Sequence, residues 1–503
     1  MHEAMPKNFP SNPEDLSQLV LDLAAVDREI ASAARALVRH MEQRVRDPDG
    51  VDDDPFAATR RVTGKSMVDA LLARQVSSFD AAHRDALVRW ARHLTFARLT
   101  VPQGLAWERE SRAPRAVVTD SAGRPQRIGY REAFALLLAA ESPGAGASAL
   151  AALADAARGL APLAIERAER RVEAARRFGL AHPDDNAFHA GAVATLRDAA
   201  RVLLAETDDL ANGVLRDVRT RSFGARVEAH PWMPIAMAIA RDAPEGWPAR
   251  LGPRFLDEHF ARFSTGLRLA APALPDVLGA ASFARALHGF GVALRRASVA
   301  PSWPFAVAFD PASAGAHTFG ALFSSVATSR AFYVRCLGTG AGGAAAQARV
   351  LTRTALFHLR TLATRVLLAD DVERPSASDF DEATTRLFGA PLPKALHAVW
   401  PRRGDDELGR FVGAIAGAKL AEAMVQRFDE DWFRNPEAAR HLRTIGAAPE
   451  RDTVQGALGA AAAQPSVASD ASSDAAERTN TDSLSKLVAL IAPLARELER
   501  RLG

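Results

Sequence analysis

Glu407–Ile445 reads ELGRFVGAIAGAKLAEAMVQRFDEDWFRNPEAARHLRTI. With Asp406 before it, its first part as far as Phe428 is an alanine-rich run of the kind that favours helix. The same composition recurs throughout the chain. Of 503 residues, 48% are hydrophobic but only 7% aromatic, and there are just two tyrosines, Tyr130 and Tyr333. An all-β sandwich would ask for more Val, Ile, Tyr and Thr. Charged residues make up 24%, so the chain can bury a large core and is not disordered throughout. The expected fold class is all-α, a large multi-helix body with at most a small β hairpin.

Working back from that stretch, helices are expected at Asp379–Phe388, Ala344–Leu368, Phe319–Leu337, Ala281–Ala297 and Pro253–Phe263. Pro231, Pro234, Pro244 and Pro248 mark a loop-rich passage. Before it come Asp209–Arg219, Ala187–Glu206 and Ala147–Phe178, the last of which Pro162 should kink or divide. Tyr130–Ala140, Asp80–Leu99 and Ser66–Gln75 are also predicted helices. Between Arg115 and Arg127 a β-branched run and an Ala-Gly turn suit a hairpin. The first helix is predicted from an Asn12 cap and Pro13 to about Arg46, on the spacing of Leu16, Leu19, Leu23, Val26 and Ile30.

In the other direction, Ala457–Asp482 has almost no large apolar residue and reads as a linker. Leu484, Leu487, Val488, Ile491, Leu494, Leu498 and Leu502 then stripe a short C-terminal helix, expected to dock on the body or to mediate self-association. The division expected is an N-terminal helical region over 1–230, a C-terminal one over 231–448, a linker over 449–482 and an amphipathic helix over 483–503.

Charge excludes several partners. There are 63 basic and 60 acidic residues, a formal charge of +3, which gives little steering of polyanions. Of the basic residues 58 are arginines, and none of their clusters is interleaved with stacking aromatics, so no nucleic-acid partner is expected. The single cysteine, Cys336, excludes an intramolecular disulfide and a Cys-based zinc knuckle. Met1–Pro13 lacks the basic start and apolar run of a secretory signal. No apolar stretch is read as long enough to span a bilayer. The expected location is the cytoplasm, with no membrane contact.

Most catalytic motifs fail. Gly64-Lys65-Ser66 has Thr59 where a phosphate loop needs its first glycine. Gly338-Thr339-Gly340-Ala341-Gly342-Gly343 fits G-x-G-x-x-G literally, but no βαβ unit surrounds it, so a turn between helices is expected. The alternative is a nucleotide-dependent enzyme using that Gly338–Gly343 loop. No G-x-S-x-G elbow exists. No two of the 13 histidines stand three or four apart, so no single helix carries a zinc pair.

Two segments do resemble a family. Arg427-Phe428-Asp429-Glu430-Asp431-Trp432-Phe433-Arg434-Asn435-Pro436, following a long helix, resembles the closing segment of helical zinc peptidases of the thimet oligopeptidase and oligoendopeptidase F type. Phe283–Arg295, FARALHGFGVALR, is similar to a degenerate form of that family's HExxH zinc helix. The resemblance implies a neurolysin- or oligoendopeptidase-like helical bowl. It places His288 at the first ligand, Gly289 in place of the catalytic glutamate and Val292 in place of the second histidine. His317, 29 residues after His288, falls near the family's third, glutamate ligand. The late tyrosine that would stabilise an oxyanion is missing, and Phe411 stands in its region.

A zinc peptidase needs a carboxylate to take a proton from metal-bound water, and Gly289 has none. The resemblance therefore implies a non-catalytic pseudo-peptidase with no catalytic residue, no metal and no cofactor. It would hold a peptide or protein partner in a central cleft, with Phe283, His288, Phe290, His317 and Phe319 as lining candidates. The alternatives are an active enzyme of another class, including a metallopeptidase with a non-standard site, and a structural or assembly protein.

Overall fold

A computed structural model describes residues 22–502 apart from 52–53, 75–77, 120–122, 187, 189–190, 225–227, 229, 239–254, 270–279, 369–376, 401–405 and 460–472. The N-terminal part contains α1 (Leu23–Arg46), α2 (Lys65–Ala73), α3 (Ser78–Glu110), α4 (Tyr130–Ala139), α5 (Pro143–Arg177) and α6 (Ala192–Phe223). Then come α7 (Trp232–Ala238), α8 (Phe255–Ser264), α9 (Ala280–Ser298), the single turn α10 (Phe305–Ala308), α11 (Ala314–Ser325) and α12 (Arg330–Leu337). The chain continues through α13 (Ala341–Leu367), α14 (Ala377–Phe388), α15 (Glu407–Phe428), α16 (Pro436–Ala447), α17 (Glu450–Gly459) and α18 (Ser473–Leu502).

The fold is all-α. Among the described residues the sheet content is one antiparallel hairpin, β1 (Ala116–Thr119) with β2 (Pro125–Ile128), pairing Ala116 with Ile128 and Thr119 with Pro125. It sits where the β-branched run was expected to place it.

Several boundaries differ from expectation for physical reasons. The first helix starts at Asp22, whose carboxylate accepts the Ala24 N–H at 2.9 Å; the expected Asn12 cap lies outside the described residues. Proline does not end α3 or α5: Pro102 and Pro162 lie inside them. The lost hydrogen bond is offset by buried neighbours on the same helix, Val101 and Leu105 around the first and Leu160 before the second.

The two helices expected around Thr207-Asp208-Asp209 are one, α6. That polar run looks like a break, but it is tied to α13 and α14. The Arg360 guanidinium donates to the Thr207 hydroxyl at 2.7 Å and to Asp208 at 2.9 Å, and Arg386 donates to Asp208 at 2.7 Å. Conversely, the single helix expected over Phe319–Leu337 is broken by a 3-10 turn, Val326–Thr328, between α11 and α12.

Part of the expected linker is packed structure. In α17, Glu450, Thr453, Ala457 and Leu458 are buried, while 460–472 lie outside the described residues. The C-terminal helix docks on its own chain, against α6, α13, α15 and α17. Leu487, Ile491 and Leu498 are buried in one core with Leu203 of α6, Leu362 of α13 and Phe411 of α15. This core runs across the expected boundary near residue 230. Against expectation, α5 is apolar and long enough, by length and composition, to cross a bilayer. In this fold Leu150, Leu153, Ala157 and Leu160 bury its apolar side, and the core helix of a folded domain meets the same criteria.

Candidate functional site

Helix α11 lies between α9 and α15 and touches both closely. Glycines permit the approach. Gly409, Gly413 and Gly417 recur every four residues and so share one face of α15. A Cβ on Gly413 would stand 2.6 Å from the His317 Cβ, and one on Gly417 the same distance from the Thr318 carbonyl oxygen. On the other side, Gly291 of α9 abuts the Phe319 carbonyl.

The start of α11 is fixed as tightly. Ser313, at φ 53°, occupies the left-handed region just before it. Asp310 Oδ1 accepts the Ala312 N–H at 2.9 Å, and the Asp310 N–H donates to Glu450 Oε2 at 3.1 Å. Arg451 pairs with Asp310 at 3.0 Å. Glu450 thus anchors the turn that presents His317.

This packing brings two histidines from different helices together. His288 Nε2 lies 3.2 Å from His317 Nδ1, with ring centroids 5.5 Å apart. Gly320 lies beneath the His288 ring, where a Cβ would come within 2.6 Å of Cε1. His317 Nε2 is 3.1 Å from Asp406 Oδ2, and Arg410 Nε donates to the same oxygen at 3.0 Å.

Electrostatics orders the protons along this chain. Burial alone would raise the Asp406 carboxyl, but the bonds and charges of His317 and Arg410 outweigh it and hold it below the usual carboxylate range. Asp406 is therefore an acceptor, and His317 Nε2–H donates to it. Burial lowers the His317 imidazole despite Asp406, and pushes His288 down to about 3, with His317, His358 and Arg410 adding to the effect. Both rings are neutral at pH 7. His317 then offers a lone pair at Nδ1, His288 Nε2–H donates to it, and the His288 Nδ1 lone pair remains.

A third histidine completes the site. His358 of α13 is open to solvent, yet burial is the main cause that lowers its imidazole to about 4, followed by Arg365 and Arg410. The ring is reached by solvent, and Arg365, Arg410 and His317 act on it electrostatically. His288 is likewise half-buried, and the Asp406 side chain keeps 33% of its surface. Beside them Arg365 Nη1 lies 3.3 Å from Glu407 Oε1, with its guanidinium 5.7 Å from the Trp400 ring.

The expected lining residues divide. His288 and His317 do meet. Phe283, Phe290 and Phe319 are buried in an aromatic core with Phe260, Phe263, Phe323 and Trp432, and so back the site instead of facing a cleft. Sequence reading missed His358, Asp406 and Arg410. The only local signal was Asp406-x-x-x-Arg410, a spacing of four common on exposed helix faces.

The residues at the position of the HExxH-like segment do not fit a zinc ion. Two imidazole nitrogens converge where at least three protein ligands are needed. Val292 offers no donor, and no group of three or more His, Cys, Asp or Glu among the described residues could hold a metal. The Gly338–Gly343 stretch is a turn over Gly338–Gly340 followed by the start of α13. Gly338, left-handed at φ 65°, ends α12, and Gly340 precedes α13. With a helix on each side, the nucleotide-loop alternative loses its strand.

No family model matches the chain, and no curated protein matches it by sequence. Among solved structures it is similar to oligoendopeptidase-F from Enterococcus faecium, with 10% identity and a TM-score of 0.46 over 95% of this chain and 100% of that one.

Proposed function

We propose that this chain is a non-catalytic, peptidase-like helical scaffold that holds a peptide or protein partner in a cleft at His288, His317 and Asp406. One observation carries the reading: the two histidines bond to each other and then to Asp406. Gly289 and Val292 beside them carry neither a proton acceptor nor a ligand, and no third His, Cys, Asp or Glu among the described residues joins them to hold a metal, which supports the non-catalytic part. The His288 imidazole, held near 3, is also a feeble base at neutral pH. The sequence resemblance of Phe283–Arg295 and Glu407–Ile445 supports the peptidase-like part, and the solvent-reached surfaces of His288, His358 and Asp406 support the binding part.

The test is incubation with zinc and a fluorogenic peptide library, alongside binding of the same peptides by fluorescence anisotropy. Binding without turnover is expected. Zinc-dependent turnover that disappears in His288→Ala would overturn the reading.

A further inference from the structure

The hydrogen bonds of the site run in one direction. Arg410 Nε donates to Asp406 Oδ2 at 3.0 Å, which holds Asp406 as a carboxylate, and a carboxylate accepts but does not donate. His317 Nε2, 3.1 Å from the same oxygen, therefore carries a hydrogen. His317 Nδ1 and His288 Nε2 stand 3.2 Å apart and share one hydrogen between them. The His317 side chain is only 7% exposed, and burial disfavours a charged ring there. A neutral ring with its hydrogen on Nε2 has a lone pair at Nδ1, so the shared hydrogen belongs to His288 Nε2. The chain of bonds then ends on the lone pair of His288 Nδ1. That atom has no hydrogen-bond partner among the described residues, yet it is not sealed from solvent.

We infer that His288 Nδ1 accepts a hydrogen bond from an uncharged amide N–H of a ligand, as the backbone of a bound peptide supplies. The inference rests on the scaffold reading and adds which group of the peptide is held. A metal ion or an oxyanion hole grips a carbonyl oxygen. This end of the chain grips the amide hydrogen instead.

Neutrality selects the donor. Arg410 already answers the charge of Asp406, and both rings are uncharged at pH 7, so nothing at this end calls for an ammonium group. An imidazole too weak to take up a proton still accepts a hydrogen bond. The bonds through His317 to Asp406 polarise the ring toward Nδ1 and strengthen it as an acceptor.

Nitrogen-15 NMR of the histidine side chains in the full chain at pH 7 reads which ring nitrogens carry hydrogen, and it needs no variant. Expected are hydrogens on Nε2 of both His288 and His317, with His288 Nδ1 bare. A hydrogen on His288 Nδ1 would overturn the inference. Acetamide, N,N-dimethylacetamide and ethanol are then titrated separately. Acetamide should move the His288 Nδ1 signal and dimethylacetamide, which has no N–H, should not. Equal shifts from the two amides, no shift from acetamide, or a shift from ethanol alone would each overturn it. Hexapeptides and their singly N-methylated forms follow, by fluorescence anisotropy. Methylation at one position should weaken binding about fivefold, the loss of one hydrogen bond. In His288→Phe, which keeps a ring over Gly320, the plain and methylated peptides should bind alike. Peptides that bind with no such position, or a loss that persists in His288→Phe, sink the inference and leave the scaffold reading intact. If no peptide binds, the scaffold reading falls, and the tautomer and the two amides alone decide the inference. They decide it as well should His288→Phe fail to fold.

Discussion

At the scale of single residues, the site depends on what is missing from two glycines. His288 rests on Gly320, and His317 rests on Gly413. Gly413→Ala sets a methyl group against the Cβ of a buried histidine, where no side-chain rotation relieves it. Overpacking of this kind costs about 1–3 kcal/mol, to be read as a lower unfolding midpoint in denaturant. Gly320→Ala meets only a ring, which can swing away. It should therefore cost less stability but break the His288–His317 bond, read as a shift of the His288 ring protons in NMR. A titration prediction belongs here too. His288 and His358 are held near 3 and 4, below the ordinary imidazole value of 6.5. Between these values the unfolded chain binds more protons than the folded one, so both residues make stability fall as pH drops from about 6.5 toward 4. His288→Gln should flatten that slope in urea melts at stepped pH, and an unchanged slope would refute the assignment.

At the scale of elements, α17 is the part the sequence hid best. Its alanines, glycines and polar residues look like a linker, yet its polar side chains have partners elsewhere. Arg295 of α9 donates to Thr453 at 3.0 Å and to the carbonyls of Gly446 and Ala448. Hydrophobic periodicity is blind to burial of this kind, because partners far apart in sequence satisfy the polar groups. The helices with leucine stripes and the hairpin were legible for the opposite reason, since their pattern is local. The same limit explains the site. His288 and His317 could be paired on a resemblance, but Asp406 and His358 join them only through the packing of α15 and α13. Glu450 gives this element a test. Burial, with Asp310 adding to it, pushes its carboxyl up to about 7 against the pull of Arg295. An acid raised on folding stabilises below its unfolded pKa of 4.5 and loses that stability as pH rises through 7. Glu450→Gln should be less pH-dependent than the parent between pH 5 and 8 in thermal melts. It should keep the Asp310 N–H bond through its amide oxygen. A parent protein that gains stability from pH 5 to 8, with the variant following in parallel, would show that Glu450 is ionised throughout.

At the scale of the whole molecule, the last helix closes the body. In the sequence its apolar stripe favours docking in cis only slightly over pairing with another copy, because periodicity shows that a face must be covered but not by what. The fold supplies the cover: Leu487, Ile491 and Leu498 enter the core shared by α6, α13 and α15. Those helices are also the site's supports, since α13 carries His358 and Arg365 and α15 carries Gly413 and Arg410. Burying each large aliphatic side chain contributes about 1.5–3 kcal/mol, so losing three removes a share comparable with a whole domain's net stability of about 5–15 kcal/mol. A chain ending at Gly459 should therefore be destabilised throughout, with raised binding of a hydrophobic dye and loss of the His288–His317 signature in NMR. Adding the peptide 473–503 in trans should restore both, because the helix docks through side-chain burial and needs no covalent link to do so. If the shortened chain melts like the full one and keeps its histidine signals, the stripe is not part of this core. Light scattering of the full chain would then be the place to look for a second copy covering it.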